Sequence, residues 1–282
     1  MNGPATSACR RLPGIEIINP GAVRGRVRSA LFDFDGTLSL IREGWQGVMI
    51  PYFVEVLTAT PDHEDATAIE AVVRDFVERL TGKQTIYQCI QLADEVRLRS
   101  GVPLDPLAYK HEYLRRLWER IADRVESLKT GAVDPSRYLL RGSRELLEAL
   151  RDAGVTLYLA SGTDLPYVLD EAAALGLDGF FPGRIYGALD EYRLFSKQMI
   201  IDRILQEHDL RGSELVVFGD GYVEIENGKG VDGLAVGVAS DETHPGRLDL
   251  WKRQRLIAAG ADIIIPDYGE LSSLMHYLFT ME

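Results

Sequence analysis

Apolar and polar residues follow one another along this chain in two rhythms. Residues 27–34 (VRSALFDF) are a short apolar run that closes on charge, and they predict a buried strand. From about residue 44 to 130 apolar positions recur at three and four, as in Leu114, Leu117, Ile121, Val125 and Leu128. That spacing lines one face of a helix. Start and stop signals punctuate the stretch. Thr60-Pro61 reads as N-cap and first-turn proline ahead of a helix that ends before Gly82, and a second helix runs from Gln84 to Ser100, closed by Gly101. Asp105-Pro106 opens a third, which ends at Gly131.

After about residue 137 the two rhythms alternate. Helices over 143–152, 164–175, 197–208, 222–227, 247–259 and 269–278 are predicted. Between them lie apolar strands at 155–160, near Arg184–Tyr186, and at 214–219, 234–239 and 261–266. Continuously apolar strands between helices are buried on both faces, the pattern of a parallel sheet. The chain therefore reads as α/β: a Rossmann-like parallel sheet core with helices on both faces, interrupted after its first strand by an all-helical insert. The core takes residues 27–40 and 137–282 and the insert 41–136, with an N-terminal extension, 1–26, read as a loosely structured leader.

Composition adds exclusions. The 282 residues are 46% hydrophobic and 26% charged, as in ordinary globular proteins. A net charge of −12 argues against nucleic acid or an anionic membrane as partner. A small phosphorylated metabolite stays compatible, because one metal and a few donors override that field locally. Cys9 and Cys89 suit a reduced compartment, and His63, His111, His208, His244 and His276 are too scattered for a zinc site. No apolar run approaches the roughly 20 residues of a membrane helix. Arg10 and Arg11 precede no hydrophobic stretch and so open no secretory signal. The expectation is a cytoplasmic protein, its oligomeric state open.

The candidate chemistry sits at strand ends. Ligands of open parallel sheets bind outside the carboxyl ends of the strands. One predicted strand ends in Asp33-Phe34-Asp35-Gly36-Thr37, another in Ser161-Gly162-Thr163, a third in Gly219-Asp220-Gly221. Lys197 starts a helix behind Ser196, its N-cap, and is one of only six lysines among 31 basic residues. Taken singly, each motif also reads as a turn or a cap. Together they suit phosphoryl transfer. Period-2 geometry sends Asp33 and Asp35 to one side, so one carboxylate can attack phosphorus while the other exchanges a proton with the leaving oxygen. Magnesium, which takes one or two carboxylates and several waters, would offset their repulsion through Asp33 and Asp220. Ser161, the Gly162 amide and Lys197 would hold the phosphate oxygens. GLAVGV (233–238) lacks the glycine spacing of a dinucleotide loop, and DGYVEIENG lacks the ligands of a calcium loop.

DFDGT, then a strand ending in Ser, then an isolated Lys, then GDG with a further acid resembles the haloacid dehalogenase superfamily, specifically its phosphatases. The resemblance implies Asp33 as nucleophile, and Asp35 as general acid and then base, with its backbone carbonyl given to magnesium. It implies Ser161 and Lys197 as the second and third motifs, Asp220 as metal ligand, and Glu224 as the nearest match to the family's further acid. The insert resembles the helical cap of the phosphoglycolate phosphatase and β-phosphoglucomutase type. Arg42, Glu43 and Trp45, Lys83 and Gln84, and Thr163 are the candidate substrate contacts. The resemblance implies magnesium-dependent hydrolysis of a small phosphate monoester. A sugar-phosphate mutase and a non-catalytic phosphometabolite-binding protein are the alternatives on the same scaffold. Dehalogenation needs no acid at Asp35, and phosphonate cleavage would need a Schiff-base lysine, for which Lys83 is the candidate.

Overall fold

The computed structural model describes residues 12–280; Cys9, Arg10 and Arg11 lie outside them. The strands are β1 (Glu16–Ile17), β2 (Ser29–Phe32), β3 (Thr156–Asp164), β4 (Ile185–Ala188), β5 (Leu215–Gly219), β6 (Leu234–Val238) and β7 (Ile263–Ile265). They form one seven-stranded sheet in the order β1-β7-β6-β5-β2-β3-β4. All pairs are parallel except β1–β7. Strand β2 is central and entirely buried. Its alternation splits the core: Ala30 and Phe32 join one apolar cluster and Leu31 the opposite one.

The helices are α1 (Gln46–Thr58), α2 (Ala66–Leu80), α3 (Thr85–Leu98) and α4 (Pro106–Lys129), then α5 (Ser143–Asp152), α6 (Leu165–Ala174), α7 (Lys197–Glu207), α8 (Tyr222–Gly230), α9 (Leu250–Ala258) and α10 (Leu271–Phe279). Helix α7 covers the Leu31 face with Ile200, Ile201 and Ile204, while α5 and α10 cover the other with Leu146, Leu150 and Leu278. Helices α1 to α4 all fall between β2 and β3 and pack mainly on one another. Among the described residues no helix is long and apolar enough to cross a membrane.

Register positions the site. Phe32 pairs with Leu159 of β3 and with Phe218 of β5, so the next residue, Asp33, falls level with Ala160 and Gly219. The chain reverses direction of winding at β2, which leaves a crevice above its carboxyl end.

Two expectations change. The leader is partly ordered: Glu16 and Ile17 add an antiparallel edge strand to β7, too short a pairing to show in the pattern of polarity. Helix α2 starts not at Thr60-Pro61 but after Asp65, whose side chain accepts from the amides of Thr67 and Ala68 at 3.0 Å. The Thr60 hydroxyl donates instead to the Leu57 carbonyl at 2.6 Å, at the end of α1. Thr60 thus closes the end of α1, and Asp65 takes the capping position of α2.

Candidate active site

Beyond β2 the chain carries Asp33 and Asp35 to one side and turns Phe34 fully into the core. The Asp33 amide still donates to the Phe218 carbonyl at 2.9 Å, so the sheet itself fixes the first carboxylate. Gly36 then turns with φ +74°, and a Cβ there would lie 2.3 Å from Asp220 Oδ2. Only glycine lets the loop pass that close to a carboxylate.

Lys197 stands at the start of α7, where the Ser196 hydroxyl caps the helix by accepting from the Met199 amide at 3.2 Å. Its ammonium donates to Asp33 Oδ1 at 2.7 Å and also to Glu224. Asp35 accepts from the Thr163 hydroxyl at 2.8 Å and the Ser161 hydroxyl at 3.4 Å, both through Oδ2. Its Oδ1 has no hydrogen-bond partner and faces Arg42 at 3.9 Å. Arg42 in turn forms a buried fork with Glu171 of α6, with its shortest bond 2.6 Å. Asp220 is anchored by its amide, which donates to the Thr37 hydroxyl at 3.0 Å.

Burial raises both strand-end carboxylates. Asp33 is pushed up to about 6 by desolvation, with Lys197 opposing and Asp220 and Asp35 adding repulsion. Asp35 is also pushed up to about 6 by desolvation, with Arg42 opposing and Glu171 adding. The side chain of Asp35 is 26% exposed and lines the cleft.

The cleft lies between these strand ends and α1–α4. The structure brings Asp33, Asp35, Arg42, Glu43, Trp45, Lys83, Ser161, Gly162, Thr163, Lys197 and Asp220 to its wall. Gln84 and Glu224 stand elsewhere. Gln84 donates to the carbonyls of Tyr192 at 3.2 Å and Phe195 at 2.8 Å, joining α3 to the loop before α7. Glu224, 0% exposed, sits behind Lys197 with its second oxygen unpaired. Three residues were not foreseen. Glu171 balances Arg42, and Lys252 on α9 binds both Asp220 Oδ2 and Glu242 at 2.8 Å. Glu242 also lines the cleft. The scarcity of lysine that drew attention to Lys197 applies equally to Lys252.

Charge decides what the site can hold. Asp33, Asp35, Glu171, Asp220, Glu224 and Glu242 meet three cations, Arg42, Lys197 and Lys252. Ionised together they leave an excess of negative charge that calls for protons or a cation. Among the described residues no three Asp, Glu, His or Cys side chains converge as a metal cluster. Magnesium asks for less: one or two carboxylates, the remaining positions going to water and substrate oxygens. Asp33 and Asp220 line the same cleft and would offer the ion oxygen donors.

Residues 27–232 match the family model of haloacid dehalogenase-like hydrolases. Comparison with curated proteins gives no match. Among solved structures the fold is shared with a predicted phosphoglycolate phosphatase from Haemophilus somnus, at 16% identity and a TM-score of 0.58, over 89% of this chain and 98% of that one. It is shared with β-phosphoglucomutase from Clostridium difficile at 12% identity and a TM-score of 0.59, over 89% and 97%. CbbY from Rhodobacter sphaeroides, solved in complex with phosphate, aligns at 19% identity and a TM-score of 0.55, over 88% and 99%.

Proposed function

The chain belongs to the haloacid dehalogenase-like hydrolases, and we propose that within them it is a magnesium-dependent phosphomonoesterase acting on a small soluble phosphate ester. One observation carries this reading. Asp33, fixed by the sheet and paired to Lys197 at 2.7 Å, shares a cleft with Asp35, Ser161 and Asp220.

Asp33 attacks phosphorus, a P–O bond forms to its carboxylate, and the bond to the leaving oxygen breaks. Asp35 gives its proton to that oxygen. Its raised pKa, about 6, favours a proton at its carboxyl, which is part of the cleft wall. In the second half Asp35 takes a proton from water as that water attacks phosphorus, releasing phosphate and restoring Asp33. Lys197 screens Asp33 and stabilises charge on the transferring oxygens, with Glu224 orienting its ammonium from behind. The Ser161 hydroxyl and the Gly162 amide hold the same group. Asp33, Asp220 and the Asp35 carbonyl would hold Mg2+, which neutralises the phosphate's charge when bound.

Helices α1–α4 serve in this reading as a cap, bringing Trp45 and Lys83 over the leaving group. Movement of such a cap would admit the ester and shut water out. The reading places the enzyme in the cytoplasm.

The test is release of phosphate from an aryl phosphate with and without Mg2+, for the wild type and Asp33→Asn. Equal rates in the two proteins would sink the reading and leave a binding protein. With a hexose 1-phosphate, conversion to the 6-phosphate without free phosphate would instead identify a mutase.

A further inference from the structure

Lys252 has no part in the reaction just described, yet it touches the proposed metal ligand. Asp249 caps α9 by accepting from the amides of Trp251 at 2.8 Å and Lys252 at 3.0 Å, which fixes the backbone of Lys252 in the first helical turn. The side chain is only 12% exposed. Its ammonium donates to Glu242 and Ser240 and pairs with the carboxylate of Asp220. Asp220 Oδ2 lies at 2.8 Å, Glu242 Oε1 at 2.8 Å and Ser240 Oγ at 3.2 Å. The Ser240 hydroxyl passes the chain on, donating to the carbonyl of Gly36 at 2.8 Å. One side chain thus ties α9 and the loop after β6 to the turn behind Asp35 and to the carboxylate of Asp220.

A monodentate metal ligand needs one oxygen aimed at the metal and the other held still. Losing an outer partner that does this typically weakens metal binding by about 10- to 100-fold. The shortest contact of Lys252 with Asp220 is to Oδ2, at 2.8 Å. A first-turn lysine gains nothing from the helix dipole, so helix stability does not explain its placement.

We propose that Lys252, braced by Glu242 and Ser240, is a positioning residue for the metal-binding carboxylate of Asp220: it pins one oxygen and leaves the other directed into the cleft for a divalent cation. The proposal rests on the magnesium reading above and extends it to residues outside the four family motifs.

The experiment is calorimetric titration of Mg2+ into substrate-free protein, for the wild type, Lys252→Met and Glu242→Gln, with thermal melts of each variant without metal. Lys252→Met should raise the Kd for Mg2+ by about 10- to 100-fold. Glu242→Gln keeps the ammonium but loosens its brace, and should raise Kd by a smaller factor. It also decides the matter if Lys252→Met does not fold. Variants that melt earlier yet bind Mg2+ with the wild-type Kd would reduce Lys252 to a structural tie and overturn the proposal. A wild type that takes up no Mg2+ would overturn the magnesium reading first, and this proposal with it.

Discussion

The cleft has a floor and a roof, and they are built differently. On the floor, Asp33, Lys197 and Asp220 stand at the ends of central strands or at a capped helix start, and each is held by a buried or part-buried bond. On the roof, Lys83 is exposed, its ammonium 5.8 Å from the Tyr87 ring. Trp45 is half-buried ahead of α1. A rigid floor suits chemistry that tolerates little displacement, whereas a loosely held roof can change its contacts without disturbing the reaction. The proposed division of labour follows: the floor carries catalysis and the roof selects the leaving group.

The comparison breaks most visibly at Asp33. Asp33→Asn should lower kcat by at least about 10³-fold on any phosphate ester, measured as phosphate release under saturating Mg2+. Next in size is Lys197→Met, which strands Asp33 and Glu224 without their shared cation. Removing one partner of a buried ion pair costs roughly 3–5 kcal/mol. Urea unfolding of the metal-free protein should show a loss of that order, whereas Lys83→Ala on the roof should be stable to within about 0.5 kcal/mol.

A pH series sharpens the same contrast. Asp33 and Asp35 in the folded chain keep their protons up to about 6, above ordinary aspartate, because burial disfavours their charge. Between those values the folded state binds more protons than the unfolded one, so stability falls as pH rises. The metal-free protein should therefore melt progressively lower from about pH 4 to about pH 6, and saturating Mg2+ should flatten that slope. A metal-free melting temperature that climbs over this window would contradict the burial argument. The smallest effect is reserved for the roof. Lys83→Ala should change KM for a charged metabolite by a few-fold, about 1 kcal/mol or less, while kcat on an aryl phosphate stays put. A loss of kcat equal to that of Asp33→Asn would move Lys83 into the chemistry.

The floor was legible in the sequence because its signals are local. DFDGT, SGT and GDG each end an apolar run, and the caps at Asp105 and Ser196 stand where their residue types place them. What was not legible depends on pairing across the chain. Glu171 meets Arg42 over a separation of 129 residues, and nothing in LDEAAALG marks it as the partner of a guanidinium. Arg42 reads from its position as a substrate contact, yet its Nε and Nη2 are bonded to Glu171. Glu224 sits at the spacing of a metal ligand but lies under Lys197 rather than on the cleft wall. Both differences come from burial, which makes an unpaired charge costlier than a lost ligand. Lysine scarcity was the one global signal available. Followed past Lys197, it leads to Lys252, and to Lys110, 1% exposed on α4 and bound to Asp164 at 2.8 Å.

The two-residue strand β1 has a practical meaning for anyone shortening this protein. Glu16 and Ile17 pair with Ile264 and Ile263, the amides of Ile18 and Asn19 reach the Asp262 carbonyl, and Glu16 is gripped by Arg253. Trimming to residue 27, where the family match begins, would strip that cover and leave three isoleucines beside a row of open backbone groups. Such an edge recruits strands from other molecules. The shortened protein would keep its chemistry and lose its solubility.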